Sequence, residues 1–182
     1  MKKLFLLLVV FLLSVSPSMR AEVKNGTSGQ CTWTFDTKTG ILTISPGDDG
    51  GVMDDYQYVD TESVLDSYVN SPWWADRMNI TKVVINDGVT YIGKLAFNNC
   101  RLTDIVVPNS VKNVGAQAFL LSTATTITIG NGVTDIGDDA FYCLPYTPDG
   151  TYTKQTVTLG TGVKNVGSAA FSYPSIQHFN RL

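Results

Sequence analysis

The sequence is short of the residue types on which catalysis and metal binding usually depend. It has one histidine, His178, and no patterned aspartate or cysteine accompanies it, so the sequence indicates no nucleophile triad. A glycine-rich phosphate loop, a paired-cysteine metal motif and a helical metal motif are also missing. We therefore predict no catalytic residues, no metal site and no cofactor, and enzymatic activity is the least favoured of the functions considered.

Cysteine is scarce as well, with only Cys31, Cys100 and Cys143. An odd number of cysteines does not make a disulfide framework. Cys100 and Cys143 fall at corresponding turns of the first and third repeats described below. That placement separates them by two strand spacings, or ~10 Å, whereas a disulfide tolerates a Cα separation of about 7 Å. These two residues are predicted to be free thiols that pack as small buried hydrophobes.

Long apolar runs are absent after residue 21. Lys2 and Lys3 precede an apolar run over residues 4–15 and a small-residue stretch over residues 17–21. This order is typical of a secretory signal peptide, and the apolar run is too short to span a bilayer comfortably. We expect residues 1–21 to be removed on export, with a retained N-terminal anchor as the alternative. The protein is predicted to be secreted or displayed at the cell surface, without membrane insertion after signal removal.

Positive charge is also sparse. Three of the thirteen basic residues lie within residues 1–21, so residues 22–182 carry ten basic and sixteen acidic side chains, a net charge of −6. No basic stripe interrupts this scattered acidic charge. Nucleic acid and anionic lipid are therefore unfavoured as partners.

In contrast to these absences, one block of sequence recurs four times. The blocks end in Phe97, Phe119, Phe141 and Phe171, a period of 22 residues twice and then 30. Alanine always precedes the Phe, glycine lies four positions before it, and Val, Ile or Leu lies five, eight, twelve and fourteen before. A fixed period in this range predicts a solenoid whose units bury their apolar positions against one another. The aliphatic, Ala and Phe positions should face inward, and the glycine suits either a positive φ or a close approach of backbone.

Residues 22–79 precede the repeats and are predicted to form a cap. Residues 22–30 are polar and are expected to be a loose lead-in. Alternating apolar and threonine residues predict a β-hairpin over residues 31–44. Residues 54–70 are acidic and weakly patterned, with room for one helical turn around residues 63–68. Ser71 and Pro72 then favour a short helix near residues 71–78, as its cap and its first residue.

We therefore predict that other segments of the chain pack on both ends of the repeat array. The hairpin and the Ser71 segment should pack on the first repeat, since an unprotected first strand would expose unpaired backbone groups. Residues 80–182 contain four units and a terminal half-repeat. Continuing the 22-residue register predicts a last strand over residues 175–182, with Ile176 in the column of Leu102 and Phe179 in that of Val157.

The repeated blocks resemble the BspA-type branch of the leucine-rich repeats. That motif is a short aliphatic strand, a Pro-Asn-Ser-Val or Gly-Val turn, Ile-Gly, Ala-Phe and then Cys, which residues 102–119 match nearly throughout. Residues 31–35, 40–44 and 71–74 are similar to the cap that precedes such repeats in secreted members. Cys143 is one place early and the third block is longer than the motif. The resemblance implies a right-handed solenoid, mainly β with short helical turns, displayed outside the cell and active in adhesion to host or matrix proteins.

Two surfaces are candidates for ligand binding. The first is the exposed ribbon formed by the outward residues of the repeat strands, the usual recognition surface of such arrays. Its residues are Lys82, Val84, Asp104, Val106, Thr126, Thr128, Thr156 and Thr158. The second is the insertion over residues 145–152, where Tyr146 and Tyr152 lie on a loop punctuated by Pro and Gly. For the ribbon, the alternative is that Val and Thr occur there only because they favour strands. For the insertion, the alternative is a lengthened loop without a function.

Two further clusters have a structural interpretation beside a functional one. Trp33, Trp73 and Trp74 are predicted to be core residues that cover the first coil, with a sugar-binding platform as the alternative. The acidic residues between 48 and 55 could suit calcium, but their spacing is not that of a calcium loop and acidic surface turns are common.

The sequence therefore favours a secreted recognition module that binds an extracellular protein or glycan, in an adhesion-type role without catalysis. A structural or accessory component of a secreted assembly is the alternative.

Overall fold

The computed structural model describes residues 22–60, 67–144, 153–171 and 176–181, the last of these by backbone alone. Strands dominate this part of the chain, in which helix is limited to one three-residue 3-10 turn. In chain order the strands are β1 Val23–Ser28, β2 Cys31–Asp36, β3 Ile41–Pro46, β4 Tyr58–Val59, β5 Tyr68–Val69, β6 Lys82–Ile85, β7 Tyr91–Ile92, β8 Asp104–Val107, β9 Asn113–Val114, β10 Thr126–Ile129, β11 Asp135–Ile136, β12 Gln155–Leu159, β13 Asn165–Val166 and β14 Ile176–Arg181. The fold is mainly β, as predicted.

Three antiparallel strands open the fold. The hairpin predicted over residues 31–44 is present as β2 and β3, and β1 pairs with β2 along its whole length. The loose lead-in predicted over residues 22–30 is therefore wrong. The inward positions of β1 are Lys24, Gly26 and Ser28, so hydrophobic alternation did not mark this strand.

The small inward residues of β1 fit closely against the cap core. A Cβ at Gly26 would lie 3.0 Å from the Nε1 atom of Trp33, so the indole of Trp33 occupies the space beside that glycine. The fully buried Ser28 accepts a hydrogen bond of 2.6 Å from the Tyr56 hydroxyl. These contacts explain why a strand of polar and small residues is ordered against the hairpin.

Parallel strands continue the fold beyond the cap. β3 pairs with β6 with Leu42 opposite Val83, which joins the first repeat to the hairpin sheet. β8, β10, β12 and β14 form a second sheet, and the short strands β7, β9, β11 and β13 form a third. The prediction that the hairpin packs on the first repeat is confirmed. Within the described residues β6 and β8 belong to different sheets, so the strand face has a break in hydrogen bonding after the first repeat.

The terminal strand β14 pairs in parallel with β12. Phe179 lies opposite Val157, which is the register predicted for a half-repeat. An irregularity in β12 after Gln155 places Ile176 opposite Gln155, one position later than the column predicted for it. The remaining pairs follow the expected order to Arg181, opposite Leu159.

Stacked aromatic rings form the centre of the repeat core. Phe97, Phe119, Phe141 and Phe171 are all buried, which confirms their predicted inward orientation. Successive rings lie 5.1, 5.2 and 5.2 Å apart between centroids and are stacked. Trp73 of the cap stacks on Phe97 at 5.7 Å, so the ring ladder (Trp73 and the four Phe residues) has five members.

One aliphatic column departs from the predicted inward orientation. Ile92, Val114 and Ile136 are buried, whereas Val166 in the same column is 50% exposed. Val166 lies in β13, which is paired on one side only, with β11. In the described structure no further coil covers this side chain, which explains its exposure.

The repeated glycine is required by close packing and does not adopt a positive φ. A Cβ at Gly115 or Gly137 would lie 2.5 Å from a backbone nitrogen of the preceding coil. Positive φ falls instead two residues before each Phe, on Leu95, Gln117, Asp139 and Ala169. Of the two reasons considered for the glycine, only the close approach holds.

The helix predicted near residues 71–78 is much shorter than expected. It is the 3-10 turn Trp74–Asp76, preceded by Trp73 at the N-cap position, where no side chain caps the turn. Ser71 contributes its carbonyl, which accepts from the Trp74 amide at 3.0 Å. The helical turn expected around residues 63–68 is contradicted at Tyr68, which begins β5, and residues 61–66 lie outside the described residues.

Candidate functional site

The outward residues of the second sheet form two aligned rows. Thr126 is in register with Asp104 and Thr156, and Thr128 is in register with Val106 and Thr158. Thr126, Thr156 and Val106 are exposed, Val106 by 53%, and the other three are half-buried. Neighbouring strands lie about 4.8 Å apart, so these side chains stand at a regular spacing on one face. The structure thus brings six of the predicted residues together.

The two remaining ribbon residues belong to the hairpin sheet. Lys82 is exposed and lies in register with Ile41, and Val84 is half-buried beside Thr43. The cap strands β2 and β3 therefore widen the outward face, because Thr43 is in turn paired with Thr34. Sequence reasoning missed this extension, although the alternation of Thr with apolar residues in β2 was its visible signal.

The chemistry of this ribbon is mostly hydroxyl and methyl groups. Asp104 provides its one carboxylate in the second sheet, and that carboxylate accepts a hydrogen bond of 2.9 Å from the Thr103 hydroxyl. Val106 presents an exposed apolar side chain between Asp104 and Thr128. Such a face suits contact with a partner surface, mainly through hydrogen bonds, with one apolar side chain at its β8 edge.

An open cleft of about 460 Å³ lies where the hairpin turn meets the first two repeats. Its lining comes from three chain segments and consists of Thr37, Lys38, Thr39, Gly40, Met78, Asn79, Thr81 and Arg101. None of these residues was predicted as a site residue. The cleft carries two basic side chains and no acidic one, in a chain whose overall charge is negative.

Comparison with known proteins identifies the repeat. The sequence model described as "BspA type Leucine rich repeat region" matches six copies over residues 68–181, more than half of the chain. The chain belongs to the BspA-type leucine-rich repeat family. A search of curated proteins gives no match.

A solved structure supports the leucine-rich repeat fold. The chain is similar to a leucine-rich repeat protein from Eubacterium ventriosum, with a TM-score of 0.59 and 22% sequence identity. The alignment covers 88% of this chain and 44% of that protein, so this chain spans less than half of its length. At this identity the likeness shows the fold alone.

The BspA-type match begins at residue 68, before the first block recognised from the sequence. Trp73 explains this early start because it occupies the first place in the ring ladder. Its indole N–H donates to the Ala96 carbonyl at 2.7 Å. In the following coils the Phe97 amide donates to the Ala118 carbonyl at 2.7 Å, in the equivalent place. The cap therefore ends in a partial repeat.

The tryptophans of this BspA-type chain serve mainly as core. Trp73 is 1% exposed and Trp33 is 8% exposed, and their rings meet edge to face at 5.7 Å. Trp74 is half-buried beneath the Arg77 guanidinium, which lies 4.0 Å from its ring centroid. The core interpretation is confirmed for Trp33 and Trp73, so the three residues do not form an exposed sugar platform.

The acidic segment joins the cap to the first repeat. The Asp54 carboxylate accepts from the Gly29 amide at 2.6 Å. The Asp55 carboxylate accepts from the Tyr91 hydroxyl at 2.6 Å and from the Lys94 amide at 2.7 Å. Nowhere in the described residues do three His, Cys, Asp or Glu side chains approach closely enough to hold a metal ion. These carboxylates have structural partners.

The cysteines are free and buried. Burial raises the pKa of Cys100 to about 12 and that of Cys143 to about 11, so neither is a thiolate near neutral pH. Cys143 also lies 3.0 Å from the Ser122 hydroxyl. Buried thiols of this kind pack as small apolar groups and are unsuited to nucleophilic chemistry.

Some predicted features lie beyond the described structure. Tyr146, Tyr152 and the insertion over residues 145–152 fall outside the described residues, as does the side chain of His178. In the described part of the chain, no helix is both long enough and apolar enough to cross a membrane.

Proposed function

We propose that this chain is an exported recognition module, a right-handed solenoid that binds an extracellular protein or glycan through its strand ribbon. Membership of the BspA-type leucine-rich repeat family suggests a protein-interaction role. The observation that carries the proposal is the pair of aligned rows on β8, β10 and β12, with Val106 53% exposed on β8, at one end of its row. Arrays of stacked repeats commonly bind their partners through an extended exposed surface of this kind.

Export through residues 1–21 is part of this proposal. The charged start, the apolar run and the small-residue stretch support it. The mature chain would then act outside the cell, in an adhesion-type role and without catalysis. Expression in the native host, followed by fractionation and N-terminal sequencing, tests this part separately. Recovery of a chain that still begins at Met1 inside the cell would contradict it.

A matched pair of double variants tests the ribbon. Residues 22–182 are screened against a panel of matrix proteins and a glycan array. Val106→Glu with Thr126→Glu places two charges on the ribbon, and Val52→Glu with Ser168→Glu places two charges on exposed positions elsewhere. We expect the ribbon variant to lose at least tenfold in affinity for any ligand found, and the control to stay within about twofold. Equal binding by both variants would contradict the ribbon as the site.

An accessory role in a secreted assembly is the second candidate. It is supported by β13, which is paired on one side only and carries the half-exposed Val166. A pull-down from the culture medium of the native host separates the two candidates. The accessory role would be favoured if the pull-down recovers another exported component, if substitution of Val166 abolishes that recovery, and if the chain binds nothing on the panels.

A further inference from the structure

The cleft beside the hairpin turn is preformed by backbone hydrogen bonds. The Thr81 and Lys82 amides both donate to the Gly40 carbonyl, at 3.0 and 3.3 Å. The Thr103 amide donates to the Thr81 carbonyl at 3.4 Å, which ties the segment around Arg101 to the same wall. The three segments that line the cleft are therefore fixed relative to one another. A ligand entering it would not have to order the backbone.

The two basic residues of the cleft have no ion-pair partner. In the described part of the chain the ion pair present joins Lys24 to Asp76, so Lys38 and Arg101 are both unpaired there. The hairpin carboxylate Asp36 accepts from the Lys38 amide at 2.8 Å, and its charge interacts with that of Lys38 without a close ion pair. No carboxylate lines the cleft itself. Two unpaired cations at the mouth of one cleft favour an anionic ligand.

The other lining groups indicate what carries that anionic group. The lining residues include Thr37, Thr39, Thr81 and Asn79, which have polar side chains, and Met78, the one large apolar residue, which is 39% exposed. The lining as a whole is mixed, with more apolar than polar surface. A peptide anchor normally fills a buried aromatic or aliphatic pocket, and no aromatic side chain lines this cleft. Hydroxyl and amide groups instead complement the hydroxyls of a sugar. The volume lies within the range of small-ligand pockets, roughly 300–1,000 Å³.

We propose that this cleft binds one acidic sugar unit of a glycan, with Lys38 and Arg101 contacting its carboxylate or sulfate group. The hydroxyls of the threonines and the Asn79 amide then bind the ring hydroxyls. The site lies beside the strand ribbon but uses none of the ribbon residues. The two proposals can therefore be tested separately, and either can be wrong without the other. Because both cations are near the surface, its affinity decreases as the salt concentration rises.

The test is a calorimetric and NMR titration of residues 22–182 with defined oligosaccharides. A hyaluronan hexasaccharide presents carboxylates only, a heparin hexasaccharide presents both carboxylates and sulfates, and a neutral dextran oligosaccharide of equal length is the control ligand. Lys38→Gln with Arg101→Gln removes both cleft cations. Lys112→Gln with Lys164→Gln makes the same charge change at exposed positions away from the cleft.

We expect at least one acidic hexasaccharide to bind, with amide shifts centred on Gly40 and Thr81, and no binding of dextran. The cleft variant should bind at least tenfold more weakly, and the control variant within about twofold of wild type. Both variants should melt like wild type, since their substituted residues are exposed. The ribbon variant Val106→Glu with Thr126→Glu should keep this binding.

Three outcomes would overturn the proposal. The first is no binding of either acidic oligosaccharide at millimolar concentration. The second is an equal loss in the cleft and control variants, which would indicate unspecific attraction to positive charge. In the third, a hexaglutamate peptide binds as tightly as the sugars with the same sensitivity to the cleft variant, which would make this a site for acidic peptides.

Discussion

Each repeat turn contains two backbone positions with opposite steric requirements. Four residues before the Phe, the chain passes so close to the preceding coil that a Cβ would overlap its backbone. Two residues before the Phe, the chain adopts a positive φ of 52–59°, which L-residues adopt at a cost of roughly 1–2 kcal/mol. The sequence places glycine only at the first position. The need for close packing, and not the need for a positive φ, therefore determines where glycine occurs in the repeat.

A pair of substitutions in one turn tests this distinction. Gly167→Ala places a Cβ about 2.5 Å from the Asp138 amide nitrogen and should lower the free energy of unfolding by about 2–3 kcal/mol. Ala169→Gly relieves the positive φ of 53° and should leave that free energy unchanged or raise it by up to about 1 kcal/mol. Urea titration of both variants measures the difference. Equal destabilisation by the two changes would contradict the argument.

Tyr56 makes the stability of the cap sensitive to alkaline pH. Burial raises the pKa of Tyr56 to about 12, despite its hydrogen bond to Ser28 and with a smaller contribution from Asp54. The folded state therefore favours the protonated phenol. This contribution to stability is complete below pH 10, the ordinary phenol value, and is lost as the pH rises towards 12. Its size is on the order of 3 kcal/mol.

Tyr56→Phe is therefore expected to flatten the decline of stability between pH 10 and 12. At pH 7 the same variant should be less stable by about 1 kcal/mol, because Ser28 loses the shorter of its two hydrogen bonds and keeps only the one from the Asp54 amide. Urea titrations at several pH values measure both effects. The buried Cys100 and Cys143 also have raised pKa values, so part of the alkaline decline should persist in the variant. An identical pH slope in both proteins would contradict this role of Tyr56.

At the scale of elements, the cap gives both strands of the first repeat a neighbour. β3 pairs with β6, although the sheet ends there, and Val52 forms a parallel bridge to Tyr91 at the start of the short-strand sheet. Trp73 begins the ring ladder. Periodicity predicted the hairpin and its contact with the first repeat. It did not predict β1, whose inward residues are polar or small, nor the shortness of the helix.

Trp73 is expected to be the more sensitive of the two buried cap tryptophans. Trp73→Phe removes the N–H that donates to the Ala96 carbonyl, whereas the Nε1 atom of Trp33 is buried without a hydrogen-bond partner in the described structure. Both changes to Phe remove the same volume. Trp73→Phe should therefore lower the free energy of unfolding by about 1–3 kcal/mol more than Trp33→Phe. Similar losses in the two variants would show that the indole bond is of little consequence.

At the scale of the whole molecule, the sequence predicted surfaces that repeat and missed one that does not. The outward rows on β8, β10 and β12 recur at the repeat period, so alignment of Asp104, Thr126 and Thr156 was visible in advance. The cleft beside the hairpin turn joins Lys38, Asn79 and Arg101, which are far apart in the chain and share no pattern. The sequence pattern also did not predict the exposure of Val166, because that exposure depends on where the repeat lies in the array and not on the residue type.

Stability along the array should decrease from the capped end to the open side of the last coil. Each unit of a repeat protein is stabilised by its neighbours, so a coil with one neighbour opens more readily than one with two. Three equivalent amides allow a direct comparison: those of Gly115, Gly137 and Gly167 donate to the preceding coil at 2.8, 2.9 and 2.8 Å. The bonds are alike, but β13 has no second partner in the described structure and carries the exposed Val166. We expect the Gly167 amide to exchange its hydrogen at least tenfold faster than those of Gly115 and Gly137. Uniform exchange rates would instead mean that the four coils unfold as a single unit.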